Sequence, residues 1–127
     1  MKKKLVVTLV SAVMLLGSVS YVFAATYTST ATVTGGSTPM TKSGSTIPGG
    51  HKYAKLTCTG SGSQVAGMCT VMQGTNHVVS EVIDTTNKTK TNDVYLAGGK
   101  QYHVVVSYVD EYTNTGATVK GTLTYTD

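Results

Sequence analysis

Thr118-Val119-Lys120-Gly121-Thr122-Leu123-Thr124-Tyr125-Thr126 alternates without a break: Val119, Leu123 and Tyr125 fall on one side, and Thr118, Lys120, Thr122, Thr124 and Thr126 on the other. A period of two sends successive side chains to opposite faces of an extended chain, so this stretch predicts a strand with one apolar and one hydroxyl-bearing face. Residues 26–34 have the same form, with Tyr27, Ser29, Ala31 and Val33 on one face and five threonines on the other. Five further runs lie between them. Residues 52–58 bring Ala54, Leu56 and Cys58 together, and 65–73 bring Cys69 and Val71 together; 76–84 and the short 93–96 follow. In 101–111, Tyr102, Val104, Val106 and Tyr108 share a face, and Val105 and Val109 on the other side predict a central strand covered on both faces.

Turn-forming residues separate the runs: Gly35-Gly36-Ser37, Pro48-Gly49-Gly50, Gly74-Thr75, residues 85–92, Gly98-Gly99 and Asn114-Thr115-Gly116. After the first two dozen residues, no stretch repeats apolar residues at helical spacing, and Thr supplies 22 of residues 25–127. Thr, Val and Tyr are strand formers. The expectation is an all-β fold, an antiparallel two-sheet sandwich of about seven strands, with 35–50 as a flexible Gly/Ser/Thr-rich connection.

Of the 127 residues, 1–24 read as a cleaved signal peptide. Lys2, Lys3 and Lys4 form a positive start, residues 5–16 an apolar centre, and Val22-Phe23-Ala24 a small-x-small site that would leave Ala25 as the new terminus. The alternative is an uncleaved anchor, since 5–23 approaches the length of a membrane span. Thr8, Ser11, Gly17, Ser18 and Ser20 dilute that stretch, so cleavage, a secreted single domain at 25–127 and no stable membrane insertion are expected. The leader also holds most of the charge imbalance: residues 25–127 keep seven Lys against six acids. With no basic excess to neutralise phosphates, nucleic-acid binding is excluded.

Export exposes thiols to oxidants, so Cys58 and Cys69, the only two cysteines, are expected to form one disulfide. The Gly/Ser tract 59–64 between them predicts a staple across a hairpin. A redox pair would come as Cys-x-x-Cys, which this spacing is not.

Leu96-Ala97-Gly98-Gly99-Lys100-Gln101-Tyr102-His103-Val104-Val105-Val106 resembles the tyrosine corner of fibronectin-type-III and immunoglobulin-like domains. Leu96, Gly99 and Tyr102 match, whereas Gly98 stands where that pattern has Pro, and the chain has no Trp for the family's core. The resemblance implies a sandwich and the order of its last two strands, and says nothing about function. Ile47-Pro48-Gly49-Gly50-His51-Lys52-Tyr53 echoes the same turn 49 residues earlier, and 77–84 loosely echoes 103–110. Repeated use of one turn and strand chemistry is the expected source of both echoes, ahead of a true internal duplication.

Sites of chemistry are sparse. His51, His77 and His103 recur every 26 residues, which invites a three-histidine metal centre. No His-x-His pair or orienting carboxylate accompanies them, so no metal and no cofactor are expected. Glu81, Asp84, Asp93, Asp110, Glu111 and Asp127 are the acids available for catalysis. Asp110 and Glu111 are adjacent and would point apart on a strand, and neither a nucleophile-elbow nor a zincin motif is present, so no catalytic residue is assigned. Asp84, Asp93 and the 87–92 loop lack the alternating acids of a calcium loop.

The threonine rows remain. Thr26, Thr28, Thr30 and Thr32, with Thr34, form one, and Thr118, Thr122, Thr124 and Thr126 another, at a strand repeat of about 6.6–6.8 Å. They can solubilise an exposed face, pair with a neighbouring chain, or resemble the Thr-x-Thr planes of antifreeze proteins. Tyr95 and Tyr112 point away from the core face and are the candidate exposed aromatic pair. The sequence thus predicts a secreted, non-enzymatic structural or binding module whose partner is itself or a cell-surface component, self-associating through the 26–34 strand. A bacteriocin-like protein or inhibitor is the alternative, ahead of a small hydrolase or an ice-binding protein.

Overall fold

The computed structural model describes residues 24–127; the leader and its cleavage lie outside these residues but for Ala24. Nine strands follow one another: β1 (Thr26–Thr34), β2 (Thr41–Ser43), β3 (Ile47–Pro48), β4 (Lys52–Ser61), β5 (Gly67–Gln73), β6 (Asn76–Ile83), β7 (Thr89–Leu96), β8 (Gln101–Tyr108) and β9 (Thr118–Thr126). The single helical element among the described residues is a 3-10 turn, Asp110–Tyr112. Strands pair antiparallel into two sheets, ordered β1-β9-β4-β7 and β2-β8-β5-β6, with β3 also on β8. The fold is an antiparallel two-sheet β-sandwich. No helix among the described residues is long and apolar enough to cross a membrane.

Alternation builds the core. Val33, Leu56, Val71, Ile83, Leu96, Val104, Val106, Val119 and Leu123 are fully buried between the sheets, each such side chain contributing about 1.5–3 kcal/mol. β8 has only one covered face: Val105 is half-buried and Val109 is exposed. The expected double cover fails because β8 belongs to one layer of a two-layer fold, and nothing among the described residues packs on its far side.

The tract 35–50, expected to be a flexible connection, carries β2 and β3 instead. It borders β8, where residues 41–43 and 47–48 pair with that strand and Ile47 is buried. Between the two short strands Gly44 N–H donates to Val104 O at 2.8 Å. The Val104 N–H bonds at 3.1 Å to the oxygen of Ser29 Oγ, which reaches across from β1 in the opposite sheet. A strand as apolar as β8 would otherwise expose an unpaired edge, which is the physical reason the tract is ordered.

Cys58 and Cys69 are bonded, with Cα atoms 5.7 Å apart and both side chains fully buried. The expected hairpin is absent, since β4 and β5 lie in opposite sheets. β4 runs on to Ser61, and the chain then crosses the end of the sandwich, so the disulfide ties layer to layer through the core.

Where the chain crosses from β7 to β8, Leu96 is fully buried, Gly99 has a left-handed backbone (φ 77°), and Ala97 N–H donates to Tyr102 Oη at 2.9 Å. The 47–53 echo builds a different arrangement. Its Tyr53 faces solvent, and Tyr125 Oη donates to Pro48 O at 2.6 Å instead. The two Gly-Gly turns pack on one another, with Gly49 N–H donating to Lys100 O at 2.8 Å. A side chain at Gly49 would collide with the Ala97 carbonyl. β8 and β9, the last two strands, fall in opposite sheets.

Candidate functional site

β1 and β9 pair over nine residues, so their threonine rows become rungs of one ladder: Thr26 opposite Thr126, Thr28 opposite Thr124, Thr30 opposite Thr122 and Thr34 opposite Thr118. The first three pairs join hydroxyl to hydroxyl at 3.1, 3.0 and 3.2 Å. Lys120 interrupts the ladder opposite Thr32. On the far side of β9 the rungs continue through Thr57 and Thr59 of β4 to Thr91 and Thr89 of β7. The outer face of the four-stranded sheet therefore carries thirteen threonines on four adjacent strands. Their spacing is about 4.7–4.9 Å across strands and about 6.6–6.8 Å along them. Only Lys55 and Asp93, facing one another, Lys120 and Ser61 break the pattern before its aromatic end. Among the described residues nothing covers this face, and cross-strand threonine pairs of this kind add modestly to sheet stability.

The aromatic end is built from Tyr53 and Tyr95, a cross-strand pair with ring centroids 5.4 Å apart in an edge-to-face arrangement. Both are exposed. His51, held in a left-handed backbone (φ 54°), places Nδ1 3.4 Å from Tyr95 Oη and accepts the Gly98 N–H at 3.3 Å. Tyr112, paired with Tyr95 in the sequence reading, is also exposed but sits in the 3-10 turn that follows the far end of β8. About 25 Å of strand separates it from the turn beside Tyr95, so the two do not form one surface. Tyr53 is the true neighbour of Tyr95. The signal for it was present, since Ala54, Leu56 and Cys58 point inward and Tyr53 therefore points outward with Lys55 and Thr57.

The acids stand apart. Glu81 Oε2 accepts from Asn92 Nδ2 at 2.9 Å, bridging the edge strands of the two sheets. Asp84 Oδ1 accepts the N–H groups of Thr86 and Asn87, which closes its own turn. Asp110 and Glu111 lie exposed in the 3-10 turn. Of the histidines, His51 is at the turn beside Gly98, whereas His77 and His103 flank Met72 on the other sheet. Among the described residues, no three of His, Cys, Asp and Glu are grouped to hold a metal ion.

Burial, then the charges of Asp127 and Tyr27, hold the Tyr125 phenol above its ordinary range. Its hydroxyl is committed to Pro48 O and its ring stacks on Tyr27 at 5.1 Å, so its role is structural. The broadest feature available to a partner is thus the threonine face with its tyrosine end. No protein-family model matches this chain, and no curated protein matches it.

Proposed function

We propose that the chain is an exported, non-enzymatic binding module that holds a neutral, hydroxyl-bearing polymer, a cell-surface polysaccharide, against the outer face of its four-stranded sheet. The observation that carries this reading is the array of thirteen threonines ending in Tyr53 and Tyr95. Threonine hydroxyls donate and accept without charge, as sugar hydroxyls do. Tyrosine adds a flat amphipathic surface for a sugar ring. The leader pattern and the buried disulfide support export to an oxidising compartment. An immunoglobulin-like ancestry is part of the proposal. It is supported by the corner at Tyr102 and qualified by β9, which pairs with β1 and β4, whereas the last two strands of those families share a sheet.

Co-sedimentation of the purified 25–127 chain with insoluble peptidoglycan, chitin and cellulose tests it. Wild type should pellet with at least one polymer. The combined substitution T28V, T30V, T122V and T124V, or Y53A with Y95A, should leave the protein in the supernatant with its circular-dichroism spectrum unchanged. Retention of wild type in the supernatant with all three would refute the reading.

Self-association through β1 is the second reading, favoured by the position of that strand at the edge of its sheet. It predicts a sedimentation coefficient that rises with protein concentration and stops rising when Thr28 is replaced by Pro.

A further inference from the structure

We propose that Met72, His77 and His103 form a binding site for one copper(I) ion on the outer face of the five-stranded sheet. Met72 is the Cα partner of His103 on β8 and of His77 on β6. Residues flanking them, Val71, Tyr102 and Val104, are buried in the core, which turns Met72 and His103 to the outside. Directly opposed residues have Cβ atoms about 4.5–5.5 Å apart, so an ion seated over Met72 would draw one imidazole from the strand on each side.

The register here is not the default one. Pairing slips between Val71 and Met72: Val79 faces Val71, His77 faces Met72, and Val78 has no partner. Without the slip, Val78 would face Met72. Bulges of this kind re-aim a side chain, and this one exchanges a valine for a ligand.

A second observation bears on the same histidine. His77 Nε2 lies 2.7 Å from Ser80 Oγ, which lies 2.8 Å from the buried Thr70 Oγ1. With Nε2–H donating to Ser80, the lone pair is left on Nδ1, and such a bond from the non-ligating nitrogen is what orients metal-bound histidines. One thioether and two imidazoles make a neutral, soft donor set that suits a monovalent d10 ion. Zinc and calcium would find too few nitrogen, thiolate or oxygen ligands. His51 takes no part, so this site differs from a three-histidine centre. It is also independent of the threonine face on the other sheet.

The test is a copper(I) titration of the 25–127 chain under ascorbate, against bicinchoninate as competing chelator, with the Cys58–Cys69 bond intact so that no thiol competes. Wild type should withdraw one copper(I) per chain. M72L, H77A and H103A should each weaken binding by more than about ten-fold. H51N, chosen because Asn tolerates a left-handed backbone, should bind as wild type does. The copper X-ray absorption spectrum should show a sulfur neighbour that M72L removes. Failure of wild type to compete, unchanged affinity in M72L, or an equal loss in H51N would overturn the proposal.

Discussion

Gly121 stands directly opposite Cys58 on the β9–β4 ladder, and the space beyond its Cα is already occupied. A Cβ there would lie 2.7 Å from Val106 Cγ2, 3.0 Å from Cys69 Sγ and 3.1 Å from Val104 Cγ2. The inter-sheet disulfide therefore requires a residue without a side chain at this position. Gly121→Ala should lower the unfolding free energy by about 1–3 kcal/mol, the usual cost of overpacking, read from urea denaturation without reductant.

The disulfide itself joins two layers across only 11 positions of sequence. Replacing both cysteines by alanine removes a constraint on the unfolded chain and leaves space in a fully buried site. The expected loss is about 2–5 kcal/mol, seen as a lower urea midpoint. An unchanged midpoint would mean that the sheets hold together without the bond.

Ser29 and Tyr102 each satisfy a backbone N–H that no strand partner reaches, at Val104 and Ala97. Ser29→Ala and Tyr102→Phe strand those donors, and each should cost about 1–3 kcal/mol. Neither changes the threonine face, so polymer binding below the melting temperature should be retained by both variants.

Tyr125 gives a pH dependence of definite sign. Burial, Asp127 and Tyr27 raise its folded pKa above the ordinary phenol value of about 10. As pH rises past that value, the unfolded chain sheds the proton first, so stability contributed by Tyr125 is complete below it and is lost as pH climbs through the folded pKa. The difference in melting temperature between wild type and Tyr125→Phe should be constant from pH 7 to 9 and shrink above about 10.

Much of the architecture was legible because burial on one face imposes alternation. The bounds of β1 and β9 coincide with the runs 26–34 and 118–126. Sheet membership was not legible, since nothing local in residues 59–66 distinguishes a hairpin from a crossing. Short edge strands such as β2 and β3 carry too few residues to show a period. The threonine rows were visible singly, but their fusion into one ladder depends on β1 and β9 meeting, a relation across 100 positions of sequence. Tyr95 and Tyr112 are both exposed, as parity implies, yet they stand far apart, because parity gives a face and not a place on it. The His77–Met72 pairing depends on a bulge, which no alternation pattern announces.

The β1–β9 ladder has a mechanical consequence. Thr26 faces Thr126, and Asp127 N–H donates to Ala25 O at 2.9 Å, so residues 25 and 127 meet at the same rung. Tension applied between these two points loads the ladder one hydrogen-bonded pair at a time, as a zip fastener opens. Strands pulled past one another would resist with all their bonds together. Under such a load β1 and β9 should part at low force, while the segment closed by Cys58 and Cys69 cannot lengthen.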